Sequence, residues 1–273
     1  VSYANCGLPY YIGGVIQNKN ALTLQTPQSF KTRFNVDVRV HSEAVAVDRA
    51  KKEVRVRETE SGREYTERYD KLILSPGARA VVPPVAGADD PRVFTLRTVE
   101  DTFRIADYMA AKGAKRAVVI GGGFVGLEMA ENLAERGVHV SLCEGAGQVM
   151  PQMDADMACF LHARLRSAGV DLRLNAKVLG FAEQDGVFTV RTEKGDLPAD
   201  FAVLAVGVAP DTALAAAAGL ATGARGALLV DEHMRTSDED IYAVGDAVLV
   251  RNAVTGAEGA FALAGPANRQ GRI

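Results

Sequence analysis

Cysteine is scarce in this 273-residue chain, with three in all: Cys6, Cys143 and Cys159. An odd count scattered this widely is not a secreted disulfide framework, so a reducing, cytoplasmic compartment is the expectation. A basic excess is missing as well, since 31 Lys and Arg face 34 Asp and Glu for a net charge of -3. That balance argues against nucleic acid or an anionic membrane as partner and favours a small molecule. No apolar run is long enough to span a bilayer, because residues 201–209 and 213–221 are split by Pro210 and Asp211. No signal-peptide pattern, low-complexity tract or short repeat stands out. The four histidines, His41, His139, His162 and His233, share no ligand spacing with each other or with the cysteines, so no metal site is expected.

What is present is an ordinary globular composition, 48% hydrophobic and 24% charged, at a length that suits two packed domains. Residues 36–69 alternate apolar and polar positions around a Ser61-Gly62 turn, which predicts antiparallel strands and hairpins. Residues 71–78 read as a short strand ending in Pro-Gly, and "AVVPPVAG" after it as a linker. A helix is expected near 98–112, then a strand-helix-strand unit over 116–145 in which Gly137 closes the helix. Another helix (about 154–168), a strand ("VDLRL"), a hairpin ("GVFTVRTEKGDLP") and a strand ("FAVLAVG") follow, before a glycine-rich irregular end. Strands alternating with helices, plus hairpin inserts, predict an α/β protein.

The sharpest motif is Gly121, Gly123 and Gly126 in "VVIGGGFVGLE". The first glycine suits a tight turn, the second a close approach of backbone to pyrophosphate, and the third close helix-strand packing. The helix start then offers unpaired amides and a positive dipole end to phosphate. Glu144, 18 residues past Gly126 at the tip of the next strand, suits a ribose diol and repels a 2′-phosphate. "EGAGQ" holds no arginine to offset that repulsion, so NAD(H) is expected over NADP(H). The plainer alternatives are a tight strand-helix turn and a solvated strand-end charge. Asp246, after a strand and a glycine, reads on its own as a helix cap.

Cys6 stands alone. A Cys-x4-Cys partner would occupy Val1 or Tyr11 and a Cys-x-x-Cys partner Tyr3 or Pro9, and none of these is cysteine. A helix beginning beside Cys6 would favour its thiolate, and a buried inert thiol is the other reading. Cys143 and Cys159 are expected in the core.

In order, "SYANCGLPYYIGG", "YDKLILSPGA", "VVIGGGFVGLEMAENL", "AVGVAPDTAL", "TSDEDIYAVGDA" and "LAGPANRQGR" resemble the pyridine nucleotide-disulfide oxidoreductases, specifically their single-cysteine branch. That branch holds coenzyme A-disulfide reductase, NADH-dependent persulfide reductase, NADH oxidase and NADH peroxidase. Asn5, Pro9 and Tyr10 in "NCGLPYYIGG", with "AGPANRQGR", resemble the first two more than the last two. The resemblance implies a Rossmann-like NAD domain, residues 99–234, inserted into an incomplete FAD-binding domain made of residues 1–98 and 235–273. It places Ser75, Pro76, Gly77, Arg97, Asp246, Leu263 and Ala264 on the flavin side. Gly121, Gly123, Phe124, Val125, Gly126, Glu128, Glu144 and Gly207 fall on the nicotinamide-cofactor side. Phe124 stands where relatives often carry a tyrosine that gates the nicotinamide side of the flavin.

Cys6 matches the redox cysteine, with Asn5 beside it. The implied activity is FAD-dependent, NADH-driven reduction of coenzyme A disulfide or a related persulfide or polysulfide. The alternatives are an NADH oxidase or peroxidase cycling a sulfenic acid, and a non-catalytic NAD-binding redox sensor. The chain reads as a fragment. The first FAD glycine motif is expected ahead of residue 1 and a dimerisation domain after residue 273, so the homodimer is implied for the full-length protein, and turnover is not expected of the fragment alone.

Overall fold

The computed structural model describes residues 2–273. Cα packing divides the chain into two compact units, Val1–Phe30 with Ala80–Gly207, and Lys31–Arg79 with Val208–Ile273.

In the first unit a short helix α1 (Leu8–Ile12) precedes the alternating elements β1 (Val93–Thr95), α2 (Val99–Lys112), β2 (Arg116–Ile120), α3 (Phe124–Glu135), β3 (His139–Cys143), α4 (Ala155–Ser167), β4 (Asp171–Arg173) and β5 (Phe201–Leu204). All the strand pairs are parallel and the order is β4-β3-β2-β5-β1, so the direction of winding reverses between β2 and β5. Helix α2 opens on a capping box, Thr98 accepting from the Asp101 amide while Asp101 accepts from the Thr98 amide. Asp154 stands at the start of α4.

Both faces of the sheet are covered, which is why its strands read as unbroken apolar runs. Ala117, Val119, Val140, Leu142, Phe201 and Val203 join the helices and the α1 segment in one core. Val118, Ile120, Cys143, Ala202 and Leu204 pack on the other face against the antiparallel strands Val178–Gln184 and Val187–Thr192. Asp200 ties the starts of β2 and β5 together. Its carboxylate accepts the Lys115 and Arg116 amides at 2.7 and 2.9 Å and pairs with the Arg116 guanidinium at 3.2 Å. Burial alone would raise the Asp200 pKa, but these donors outweigh it and hold the group below its ordinary value. Its contribution to stability is therefore complete above the ordinary carboxylate pKa and lost as the pH falls through the lowered one. Asp200→Asn is expected to cost about 1–2 kcal/mol near neutral pH and to flatten the acid limb of stability, read by urea denaturation at several pH values.

The second unit holds the antiparallel sheet Ser42–Asp48, Glu53–Glu58 and Glu64–Arg68, and a parallel pair of Leu72–Leu74 with Ile241–Ala243. Leu72, Leu74, Ile241, Ala243, Leu228 and Val248 share its core. Arg49 binds Asp238 at 2.7 Å, and Lys71 and Lys52 hold Asp240 at 2.6 and 2.5 Å, closing the charged end of the pair.

Three sequence expectations need correction. The first strand of the hairpin region starts at Ser42 and not at Val36, because Val36 and Val40 are exposed and Asn35 and His41 have left-handed backbone. The C-terminal stretch is not irregular throughout: it includes the strand Val248–Arg251 and the helix Ala264–Gln270. Cys159 lies outside the core, since α4 turns Ala158 and Leu165 inward and leaves Met157, Cys159 and Phe160 exposed. No helix among the described residues is long and apolar enough to cross a membrane.

Candidate functional site

The glycine turn sits at the reversal point of the sheet, at the carboxyl end of β2. Gly121 has a φ of 106°, and a Cβ there would collide with the carbonyl of Ala205, just past the neighbouring strand β5. At Gly126 a Cβ would collide with the Gly121 carbonyl, so the helix can close on the turn only with glycine. Gly123 differs from both: its φ is an ordinary -81°, and a Cβ on it would meet no protein atom within 4 Å. Two of the three glycines are thus explained by the protein's own packing. The middle one faces open space at the start of α3.

No side chain caps that start, where Gly123 is the N-cap residue, and Phe124 and Val125 are exposed on its first turn. Glu144 reaches the turn from the end of β3. Its Oε2 accepts the Gly122 amide at 2.7 Å and its Oε1 the Ala146 amide at 2.7 Å. Each oxygen keeps lone pairs for a further donor such as a sugar hydroxyl. Gly207 ends the adjoining loop, its carbonyl accepting the Val81 amide at 3.0 Å. Glu128 is half-buried on α3, and burial, helped by Glu131, raises its pKa. Uncapped helix start, open space at Gly123 and carboxylate beside the turn fit a dinucleotide.

Cys6 lies in the same unit. It is exposed, in a single 3-10 turn Asn5–Gly7 that runs into α1, and Asn5 beside it is exposed too. Exposure removes the reading of Cys6 as a buried inert thiol. Beneath it the chain is firmly seated: Leu8, Ile12 and Leu22 are buried with Met129 and Leu133 of α3, and α1 packs on α2 and α3. Arg136 donates to the Ile12 carbonyl at 2.5 Å, capping α1, and Gly13 abuts Asn132 so closely that a Cβ would lie 2.8 Å from the asparagine's Cβ. Cys143, by contrast, is buried in β3, and burial pushes its thiol up to about 12. Cys159 is exposed and its thiol donates to the Asp156 carbonyl at 2.7 Å.

The second unit brings together most of the flavin-side residues. Ser75, Pro76 and Gly77 follow Leu72–Leu74 and Asp246 follows Ile241–Ala243, so they leave the same ends of two paired parallel strands. The Val244 amide donates to the Leu74 carbonyl at 3.0 Å across that junction. Asp246 sits inside the 3-10 turn Gly245–Ala247, whose N-cap is Val244, so it is not the N-cap residue of that turn. Leu263 and Ala264 open the helix Ala264–Gln270, which reaches back to donate no cap but to accept the Gly245 amide on Gln270 at 2.8 Å. Arg97 lies in the first unit, after β1, with its amide held by Asp101 at 2.9 Å.

Sequence reasoning missed Asn132 and Arg136, which seat α1, and Val149, Met150 and His162, which contact the turn or its neighbours. Their partners lie 13 to 124 residues away, and no local pattern carries such pairings.

A parallel, doubly wound sheet with a glycine turn at its reversal point and a carboxylate on the next strand defines a dinucleotide-binding α/β protein. The chain belongs to the pyridine nucleotide-disulphide oxidoreductase family, which matches it over residues 1–271 and which uses FAD and NAD(P)H. Among solved structures, reduced Bacillus anthracis CoADR-RHD is similar with a TM-score of 0.96 and 46% identity, over 100% of this chain and 49% of that one. An NAD-dependent persulfide reductase from A. fulgidus is similar with a TM-score of 0.94 and 38% identity, over 100% of this chain and 51% of that one. An NADH oxidase of Methanocaldococcus jannaschii is 34% identical over 100% of this chain and 61% of its own length. The chain therefore spans about half to three fifths of the length of these relatives.

Proposed function

We propose that the protein is a flavin-dependent NADH:disulfide oxidoreductase that reduces coenzyme A disulfide or a related persulfide through Cys6. The observation that carries this reading is the exposed Cys6, in the turn that leads into α1, whose helix is seated on the helix that begins at the glycine turn, with no second cysteine at disulfide spacing beside it. A redox cysteine without a partner needs its second sulfur from the substrate.

Gly121, Gly123, Gly126 and the first amides of α3, with Phe124, Val125, Glu128 and Gly207 around them, would hold NADH, and Glu144 would take the ribose diol. Ser75, Pro76, Gly77, Arg97, Asp246, Leu263 and Ala264 would hold FAD, with residues 1–98 and 235–273 forming the flavin domain around an NAD domain of 99–234. Bound FAD and NADH supply the reducing equivalents that return Cys6 to the free thiolate. The chain's own step is nucleophilic. The Cys6 thiolate attacks one sulfur of the disulfide, a Cys6-sulfur bond forms as the sulfur-sulfur bond breaks, and the displaced thiolate leaves and takes a proton. With a persulfide, attack on the outer sulfur leaves a thiol and a Cys6 persulfide. Asn5, beside Cys6, would orient the incoming disulfide. The free, unpaired cysteines suit a reducing compartment, the cytoplasm, and the resemblance supports a homodimer.

The test is NADH consumption matched to thiol release by the purified full-length holoprotein. The expected result is two thiols released from coenzyme A disulfide per NADH. The similarity to an NADH oxidase supports a second reading, in which Cys6 cycles through sulfenic acid. NADH consumption with oxygen or peroxide and no turnover of disulfide or persulfide would establish that one instead.

A further inference from the structure

The loop between β3 and α4 grips the Gly122 peptide from both sides. Glu144 takes its amide at 2.7 Å, and the Met150 amide donates to its carbonyl at 2.8 Å. Val149 fills the space above it, so that a Cβ at Gly122 would lie 2.8 Å from the valine Cγ1. This grip is held under tension. Met150 is 6% exposed and carries a φ of 48°, a left-handed backbone that a methionine adopts only when its surroundings hold it there.

One side chain of α4 secures the loop. The His162 Nε2 accepts the Val149 amide at 3.2 Å, and Val149 is 0% exposed, so no water can replace that acceptor. An imidazole accepts at Nε2 only when it is neutral and carries its proton on Nδ1. Protonated, it has donors alone and leaves the Val149 amide buried without a partner. The charged group that acts on it is Arg166, one turn on in α4, while Glu144, on the loop itself, has both oxygens engaged by backbone amides. Burial and Arg166 both lower the His162 pKa from its ordinary value, keeping the ring neutral at physiological pH.

We propose that His162 is a positioning residue for nucleotide binding, whose neutral ring, through the Val149 amide, holds the Glu144–Met150 loop closed on the glycine turn. Protonation releases the loop, moves Glu144 and the Gly122 peptide off their positions, and weakens the dinucleotide. The inference rests on the reading of the glycine turn as the NADH site.

The test is NAD+ affinity of the purified holoprotein by calorimetry, between about pH 5 and pH 8, for the wild type, His162→Gln and His162→Leu. Glutamine retains an acceptor that does not titrate, and leucine has none. Wild-type affinity is expected to fall about fivefold on acidification. H162Q should keep the neutral-pH affinity and lose the acid limb, while H162L should bind about fivefold more weakly at every pH. Amide hydrogen exchange at Val149 should quicken in H162L and stay slow in H162Q. An acid limb unchanged in H162Q, or Val149 exchange indifferent to H162L, overturns the role of His162 and leaves the nucleotide site standing. Absence of NAD+ binding by the wild type overturns the nucleotide site and this proposal with it.

Discussion

Cys6→Ser is expected to lower disulfide-dependent NADH turnover by about three orders of magnitude or more while leaving NAD+ affinity unchanged. Serine is close in size and Cys6 is exposed, so the substitution removes the nucleophile without disturbing a core. The seat below it, Leu8 and Ile12 against Met129 and Leu133, is untouched. The hydroxyl that replaces the thiol neither ionises at neutral pH nor forms a disulfide with substrate. The separation of the two readouts matters, because a general loss of structure would move both. The check is NADH oxidation with coenzyme A disulfide, paired with calorimetric NAD+ binding on the same preparations. Turnover that survives in C6S would remove Cys6 from the mechanism.

The second large effect divides the glycines by cause. Gly126→Ala puts a Cβ into the Gly121 carbonyl, a backbone atom that cannot swing aside, and is expected to cost about 3 kcal/mol of stability. Gly123→Ala meets no protein atom, needs no unusual backbone angle, and is expected to leave stability within about 0.5 kcal/mol of wild type. Its effect should fall on the ligand, weakening NAD+ by more than about tenfold through the lost approach of backbone to pyrophosphate. Denaturation midpoints and NAD+ calorimetry on the two variants separate the cases. A Gly123→Ala protein that binds as well as wild type would mean that nothing approaches the turn at that point.

The sequence made the strand-helix-strand unit legible because every local signal agreed: four apolar residues, the glycines, the amphipathic α3 and Glu144 at the next strand tip. The span of α2 near 98–112 and the bounds of α4 near Asp154 and Ala168 were legible for the same reason. The turn's middle glycine was read as the one for pyrophosphate, and it is the one with no neighbour of its own. Other features depend on distant partners and have no local signal. Whether Cys159 faces in or out depends on which turn of α4 meets the sheet, and its near neighbours Ala158 and Phe160 allow either. The helix Ala264–Gln270 contains glycine and proline, poor helix formers, and its Gln270 accepts the amide of Gly245, 25 residues away. Cys6 was legible as chemistry through its lack of a partner, but not its seat on α3, which Arg136 makes across 124 residues. His162 carried no signal of its own: a lone histidine on a helix points nowhere until the loop before it is folded.

The most direct test of the account is the mass of the protein, prepared with Cys6 as the free thiol, after exposure to coenzyme A disulfide without NADH, with the modified residue mapped by peptide analysis. The account predicts one coenzyme A joined to Cys6 through a disulfide, one free coenzyme A thiol released per protein, and removal of the adduct by NADH in the holoprotein. An unmodified Cys6, or an adduct found on the equally exposed Cys159 alone, would contradict it.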